Sequence, residues 1–229
     1  MNTAVGLVET YLRLNGYFTA TEYEVQHPVP GQPGQYETAT DLDILAIRLP
    51  WAAETVLRHP QRPGEERCEV LLVDDPALGV ALDLPDVLIG EVKEGAAELN
   101  RRLKTPDVLH AALRRIGCCP EEHIANAARA LLERGEFVLR HQHGVACRIR
   151  LASFCGHADE EHPLGVLTIT LRHMVRFIQD RLTAYRSILR SAQFGDPLLN
   201  LLKLMEKMEI GLAFGPPAPP QARDRRPSS

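Results

Sequence analysis

Acidic side chains stand in two segments where a strand of a protein sheet ordinarily carries apolar ones. Asp43 lies in residues 40–46, TDLDILA, and Glu91 lies in residues 89–93, IGEVK, two positions before Lys93. A carboxylate that points into a protein is costly unless a cation or hydrogen bonds compensate its charge. The two segments therefore favour a divalent metal site with a lysine beside it.

The elements that must position these groups follow from the apolar pattern of the first hundred residues. We expect a helix over 3–15, capped by Thr3 and ended by Gly16, with Glu9 next to its apolar face. Strands are predicted over 17–26, 39–49 and 87–93. The last of these is apolar on both faces apart from Glu91 and Lys93, which is typical of a central strand.

The second half of the chain predicts more helices and a few strands. Proline and glycine positions favour helices over 106–117, 120–133, 171–189 and 196–208, with strands over 137–140 and 145–154. Residues 50–67 are expected to form an irregular insert and 69–73 an apolar run. The fold class is α/β, with a mixed central β-sheet flanked by helices and additional C-terminal helices and strands. We divide the chain into a core (1–104), an extension packed on it (105–214) and a disordered Pro/Arg-rich tail (215–229).

The composition limits the class of protein. The 229 residues are 45% apolar and 24% charged, which is ordinary for a globular protein with a real core. A net charge of -4 argues against coating nucleic acid through bulk charge but permits a local basic surface. The sequence has no run long enough to span a bilayer and no secretory signal, and its five cysteines suggest reduced thiols, so we expect a cytoplasmic location.

The order of these acidic residues along the elements resembles the PD-(D/E)XK nuclease superfamily, which has the restriction-endonuclease-like fold. The resemblance rests on Glu9 in the first helix, Asp43 in its TDLDILA strand, and the Glu91-Val92-Lys93 triplet. It covers roughly the first hundred residues. Each motif is common by chance when taken alone, so the resemblance depends on the whole set in this order.

The resemblance implies a metal-dependent nuclease that hydrolyses phosphodiester bonds, acting on DNA rather than RNA. Asp43 and Glu91 would bind Mg²⁺, for which Mn²⁺ should substitute, because hard cations prefer carboxylate oxygens. Glu9 would assist as a third metal ligand, and Lys93 would orient the attacking water and stabilise the transition state. Asp41 is a candidate second-layer group. Roles in defence or repair, a homodimer, and a helicase or methyltransferase partner are compatible with such an activity.

Basic residues elsewhere are candidates for binding the phosphates of a nucleic acid. They form one group just after the Lys93 strand and another on the predicted helix 171–189: Arg101, Arg102, Lys104, Arg172 and Arg176. The alternative is a solvated helix face.

Three further alternatives stay open. Glu91 and Lys93 could form an exposed ion pair of little energetic weight, and the same fold could serve as a non-catalytic interaction subunit for nucleic acid or protein. A zinc site made by Cys147, Cys155, His157 and His162 is disfavoured, because their spacing fits no zinc motif. The dipeptide Pro85-Asp86 has the residue types after which the family is named. Asp86 nevertheless lies five residues before Glu91, about 16 Å along a strand, so the two are not expected to bind the same metal ion.

Overall fold

A computed structural model describes residues 2–52, 55–57, 68–70, 74–140, 146–158, 165–189 and 195–212. The helices are α1 (Thr3–Leu14), α2 (Pro106–Ile116), α3 (Glu121–Arg134), α4 (Leu171–Ala184), α5 (Arg186–Leu189) and α6 (Pro197–Lys207). The strands are β1 (Phe18–Pro28), β2 (Tyr36–Arg48), β3 (Thr55–Leu57), β4 (Cys68–Val70), β5 (Asp86–Ala96), β6 (Glu136–Leu139), β7 (Cys147–His157) and β8 (Leu167–Thr170).

Six of the strands form one open mixed sheet in the order β1-β2-β5-β7-β6, with β8 also paired to β7. The hairpin β1-β2 and the pair β2-β5 are antiparallel, whereas β5-β7 and β7-β8 are parallel. Strand β5 therefore lies between an antiparallel and a parallel neighbour. Its first seven residues are all buried, as expected for a central strand.

Helices cover both faces of this sheet. On one face, α2 and α3 bury Leu109 and Leu131 in an apolar cluster that also contains Leu45 and Ile89. On the other face, α1, α4 and α6 form a second cluster with residues that include Leu88 of β5. Because side chains alternate along a strand, the odd-numbered residues of β5, Glu91 among them, face the α2–α3 layer.

The predicted core elements are confirmed with small shifts at their ends. The mixed sheet flanked by helices is present, and β5 is its central strand. Helix α1 begins at Thr3 as expected, but Asn2, not Thr3, provides the cap, accepting a hydrogen bond from the amide of Ala4 at 2.9 Å. Gly16 follows the helix with a φ of 81°, as the left-handed termination requires.

Other expectations need correction or lie outside the described residues. The predicted helix over 171–189 is two helices, α4 and α5, because the helical conformation is interrupted at Tyr185. Strand β8 was not expected, since its four residues are too few to show a period. Most of the insert 50–67, His162 and the tail 215–229 lie outside the described residues. Strands from both sides of residue 104 share the six-stranded sheet.

None of the helices in the described part of the chain has the length and apolarity needed to cross a membrane.

Candidate metal site

The antiparallel pairing of β2 with β5 stops at Ile44 and Gly90, and Asp43 and Glu91 follow immediately beyond that last pair. The amide of Val92 donates a hydrogen bond of 2.8 Å to Asp43 Oδ2. A regular antiparallel ladder would direct such an amide to the backbone of the partner strand. The Asp43 carboxylate therefore accepts this hydrogen bond in place of a backbone carbonyl, at the point where the two strands separate.

The burial of neighbouring side chains shows that the alternation of side chains between the two faces of the sheet is interrupted near Asp43 of β2. Leu42 and Leu45 are three residues apart, yet both lie in the apolar cluster on the α2–α3 face. Strict alternation would put them on opposite faces. Asp43 lies between them, half-buried, where the strand leaves its regular path.

Glu91 is almost completely enclosed, with a side chain that is 3% exposed. Its Oε1 accepts a hydrogen bond of 2.5 Å from Lys93 Nζ, and the lysine side chain is 41% exposed. Its Oε2 is buried and has no hydrogen-bond partner among the described residues. A buried carboxylate that lacks donors is unfavourable, so this oxygen is available to a cation.

The charges of these groups influence one another. Burial is the largest influence on the Glu91 carboxyl and raises its pKa; the Lys93 hydrogen bond opposes this, and the nearby charge of Asp43 raises the pKa further. Burial lowers the pKa of Lys93, but Glu91, together with the charge of Asp43, outweighs burial and leaves that pKa raised. Asp43, Glu91 and Lys93 therefore form one electrostatic unit, in which two carboxylates compete for one ammonium group.

The backbone of β5 bulges just after Lys93. The register with β7 shifts between Lys93 and Ala96. A Cβ atom on Gly156 of β7 would lie 2.0 Å from the carbonyl oxygen of Glu94, so only glycine permits this approach. Bulges of this kind redirect the side chains beside them. Sequence reasoning did not identify Gly156, because an isolated glycine in a strand has several explanations.

Glu9 is not brought to the carboxylate pair. Its Oε1 accepts a hydrogen bond from Thr19 of β1 at 3.1 Å and forms an ion pair of 3.0 Å with Arg13, one helical turn later. Thr19 pairs with Ala46, which is three residues, about 10 Å, from Asp43 along β2. A role for Glu9 at the metal stays a prediction.

The first group of basic residues is joined to β2 by two contacts, about 10 Å or more along the strand from Asp43. Asn100 donates to Thr40 Oγ1 at 3.4 Å, and Arg102 donates to the carbonyl of Ala39. Arg101, Arg102 and Lys104 are exposed in this turn. The predicted phosphate contacts thus lie on a segment anchored three to four residues before Asp43. Asp41 is exposed on the same strand, and its second-layer role stays a prediction.

The second basic group belongs to another surface. Arg172 and Arg176 lie on α4, whose buried face packs in the cluster with α1 and α6. That layer covers the face of the sheet opposite Glu91. Phosphate contacts from Arg172 and Arg176 stay a prediction, and they would extend a binding surface around the sheet rather than line the carboxylate pair.

Asp86 is confirmed as the first residue of β5, and it is completely buried at a separate cluster. Its two oxygens accept four hydrogen bonds, one each from Tyr17 and Arg148 and two from Arg150. Burial, followed by the charge of Asp86, raises the pKa of the Tyr17 hydroxyl. All the acceptor capacity that geometry offers is in use, which assigns Asp86 to structure rather than to metal binding.

The donor set limits which metal the site fits. Across the described ranges, no three His, Cys, Asp or Glu side chains are grouped so that they could hold a metal ion. The described residues therefore do not offer the three or four protein ligands that zinc and similar metals need. Mg²⁺ commonly uses one or two carboxylates and keeps several waters, so Asp43 and Glu91 match its usual number of protein ligands, and their binding of Mg²⁺ stays a prediction.

No family model, curated protein or solved structure matches this chain.

Proposed function

We propose that this chain is a metal-dependent nuclease with a restriction-endonuclease-like core, acting on a nucleic-acid backbone, DNA rather than RNA. The observation that carries the proposal is the Glu91 carboxylate, which is buried, has one oxygen without a donor among the described residues, and interacts with both Asp43 and Lys93. A purely structural ion pair does not require an orphaned oxygen or a second acid beside it. An exposed ion pair is also excluded for Glu91, because its side chain is 3% exposed.

In this proposal, each residue has a distinct task. Asp43 and Glu91 hold Mg²⁺, which supplies an activated water and screens the charge of the scissile phosphate. Asp43 is fixed in place by the Val92 amide. The half-exposed Lys93 ammonium orients the nucleophile and stabilises negative charge as it develops on the phosphate. Glu9 remains the expected third acid, acting from α1 at a greater distance.

The nucleic-acid substrate is supported by the charges around the site. The exposed turn with Arg101, Arg102 and Lys104 is joined to β2 three to four residues before Asp43 and offers cations to phosphates at some distance from the scissile one. Such contacts position a backbone without reading its sequence. Binding should therefore weaken as salt increases, since phosphate contacts release counterions.

A plasmid cleavage assay with Mg²⁺ tests the proposal. Wild type should nick the plasmid and EDTA should stop it, whereas Asp43→Ala and Lys93→Ala should be inactive. Asp83→Ala removes an exposed acid three residues before β5 and should cleave like wild type. Equal cleavage by all variants would contradict the mechanism.

A binding measurement separates the nuclease from a non-catalytic subunit on the same fold. If wild type binds Mn²⁺ in calorimetry but cleaves neither DNA nor RNA, the interaction subunit is selected. If wild type binds no Mn²⁺ and cleaves nothing, the metal site itself is wrong.

A further inference from the structure

Two buried residues with orphaned polar atoms are register partners in the middle of the sheet. In the described part of the chain, three buried side-chain atoms lack a hydrogen-bond partner: Arg48 Nη1, Glu91 Oε2 and Ser153 Oγ. The last two belong to residues that are direct partners in the parallel pairing of β5 with β7. Parallel partners point to the same face, and the strands are about 4.8 Å apart. The two residues are therefore neighbours on one face of the sheet, although no hydrogen bond joins their unsatisfied atoms.

The surroundings make the hydroxyl of Ser153 unusual. Two residues earlier on the same face, Ile89 pairs with Leu151, and both are buried in the apolar cluster under α2 and α3. Ser153 itself is fully buried. A buried hydroxyl without a partner is destabilising compared with alanine. A serine at this position therefore costs stability in the metal-free protein and needs another reason.

We propose that Ser153 is a further residue of the cation site, where its hydroxyl acts together with Glu91 Oε2 on the hydrated ion. This inference rests on the proposed function. Glu91 provides the negative oxygen, and Ser153 provides a neutral group that can both donate and accept a hydrogen bond. A hydrated Mg²⁺ or Mn²⁺ keeps several waters, each of which needs hydrogen-bond partners. Ser153 meets that need from β7, where it is the register partner of Glu91.

The role is one of positioning, so it predicts opposite effects on two measurements. Removing the hydroxyl in Ser153→Ala should raise the urea midpoint of the metal-free protein, because an unsatisfied buried group disappears. The same change should weaken Mn²⁺ binding about fivefold, the weight of one hydrogen bond. A serine with only a structural role would give no such pair of effects.

Calorimetry with Mn²⁺ and urea unfolding of the metal-free full chain test this inference. Ser153→Cys has a weaker donor of similar shape and should also bind Mn²⁺ less tightly than wild type. Thr168→Ala is the matched control, since Thr168 pairs with Ser153 on β8 but its hydroxyl already donates to the Val166 carbonyl at 3.3 Å. It should keep wild-type affinity.

The outcomes separate this inference from the proposed function. Wild-type affinity in both Ser153 variants overturns the role of Ser153 and leaves the nuclease proposal intact. A loss of affinity in Thr168→Ala equal to that in Ser153→Ala also overturns it, because the effect would then come from general repacking of the sheet. Absence of Mn²⁺ binding by wild type overturns both.

Discussion

Strand β5 carries two buried acids, and their environments differ completely. Asp86, at its start, is fully buried and accepts four hydrogen bonds from three side chains. Glu91, five residues later, is nearly as buried, but within the described part of the chain it has a single donor, Lys93, and one oxygen without any. The comparison shows that burial alone does not identify a functional acid. The unfilled acceptor capacity distinguishes the acid that is ready for a ligand from the acid that holds the fold together.

The largest effect expected from this difference is on stability at Asp86. Asp86→Ala leaves Arg148 and Arg150 without their shared partner, and uncompensated buried charges of this kind cost about 3–5 kcal/mol. Urea unfolding measures the loss, with Asp83→Ala as an exposed control that should change little. A loss below about 1 kcal/mol would mean that the Asp86 cluster is not the structural partner in this comparison.

Catalysis should depend most strongly on Lys93. Lys93→Met keeps much of the length of the side chain but removes its charge, so cleavage should fall about 100- to 1000-fold, as for loss of one preorganised donor. Initial rates on plasmid DNA at saturating Mg²⁺ measure the change. Mn²⁺ binding should persist, because the carboxylates stay. Cleavage at the wild-type rate would remove Lys93 from the reaction.

Two substitutions of Asp43 should separate the contribution of its negative charge from that of its hydrogen bond. Asp43→Asn keeps an oxygen that can accept from the Val92 amide but loses the negative charge, whereas Asp43→Ala loses both. We expect both variants to bind Mn²⁺ about tenfold more weakly or worse, since even indirect partners of a metal have effects of this size. Only the alanine variant should also lower the urea midpoint. Full Mn²⁺ affinity in Asp43→Asn would exclude Asp43 as a ligand.

The raised pKa of Glu91 predicts how metal-free stability depends on pH. The folded state binds the Glu91 proton more tightly than the unfolded chain does. Protonation of Glu91 therefore stabilises the folded state fully below the ordinary pKa of a glutamate, and this stabilisation is lost as pH rises through the raised pKa of the folded state. Each pKa unit corresponds to about 1.4 kcal/mol. Unfolding free energies of wild type and Glu91→Gln, measured from pH 4 to about pH 8, should show the decline only in wild type. Parallel curves would contradict the raised pKa.

Glu9 should show the smallest effect. Its carboxylate is already bound by Thr19 and Arg13, so Glu9→Gln should weaken Mn²⁺ binding only about two- to fivefold, less than either Asp43 variant. Unchanged affinity would remove Glu9 from the site. An effect as large as that of Asp43→Asn would show that α1 moves toward the metal when the ion binds.

Much of the local structure could be predicted from the sequence, because its causes are local. Gly117 and Gly135 end their helices in the left-handed conformation, as their positions indicate. The continuous apolar run of β5 predicts a central strand, and the sheet places it there. Strand β8 could not be foreseen, because four residues carry too little pattern.

The site was predictable in part. The spacing of residue types singled out Asp43, Glu91 and Lys93, and the structure brings these three together. The same pattern could not give the position of Glu9, since its partner Thr19 lies on β1 and is fixed by the pairing of β1 with β2. Ser153 has no sequence motif of its own, and only the register between β5 and β7 places it beside Glu91.

The amino-acid sequence alone determined most of the helices and strands and which residue types could bind a cation, because periodicity, helix caps and side-chain chemistry act over a few residues. The tertiary structure alone decided that Asp86 is satisfied and Glu91 is not. Tyr17, Arg148 and Arg150 reach Asp86 from positions more than sixty residues away, and at Glu91 the β2–β5 ladder ends. Hydrogen-bond saturation depends on which distant side chains converge at a point, and convergence follows from packing.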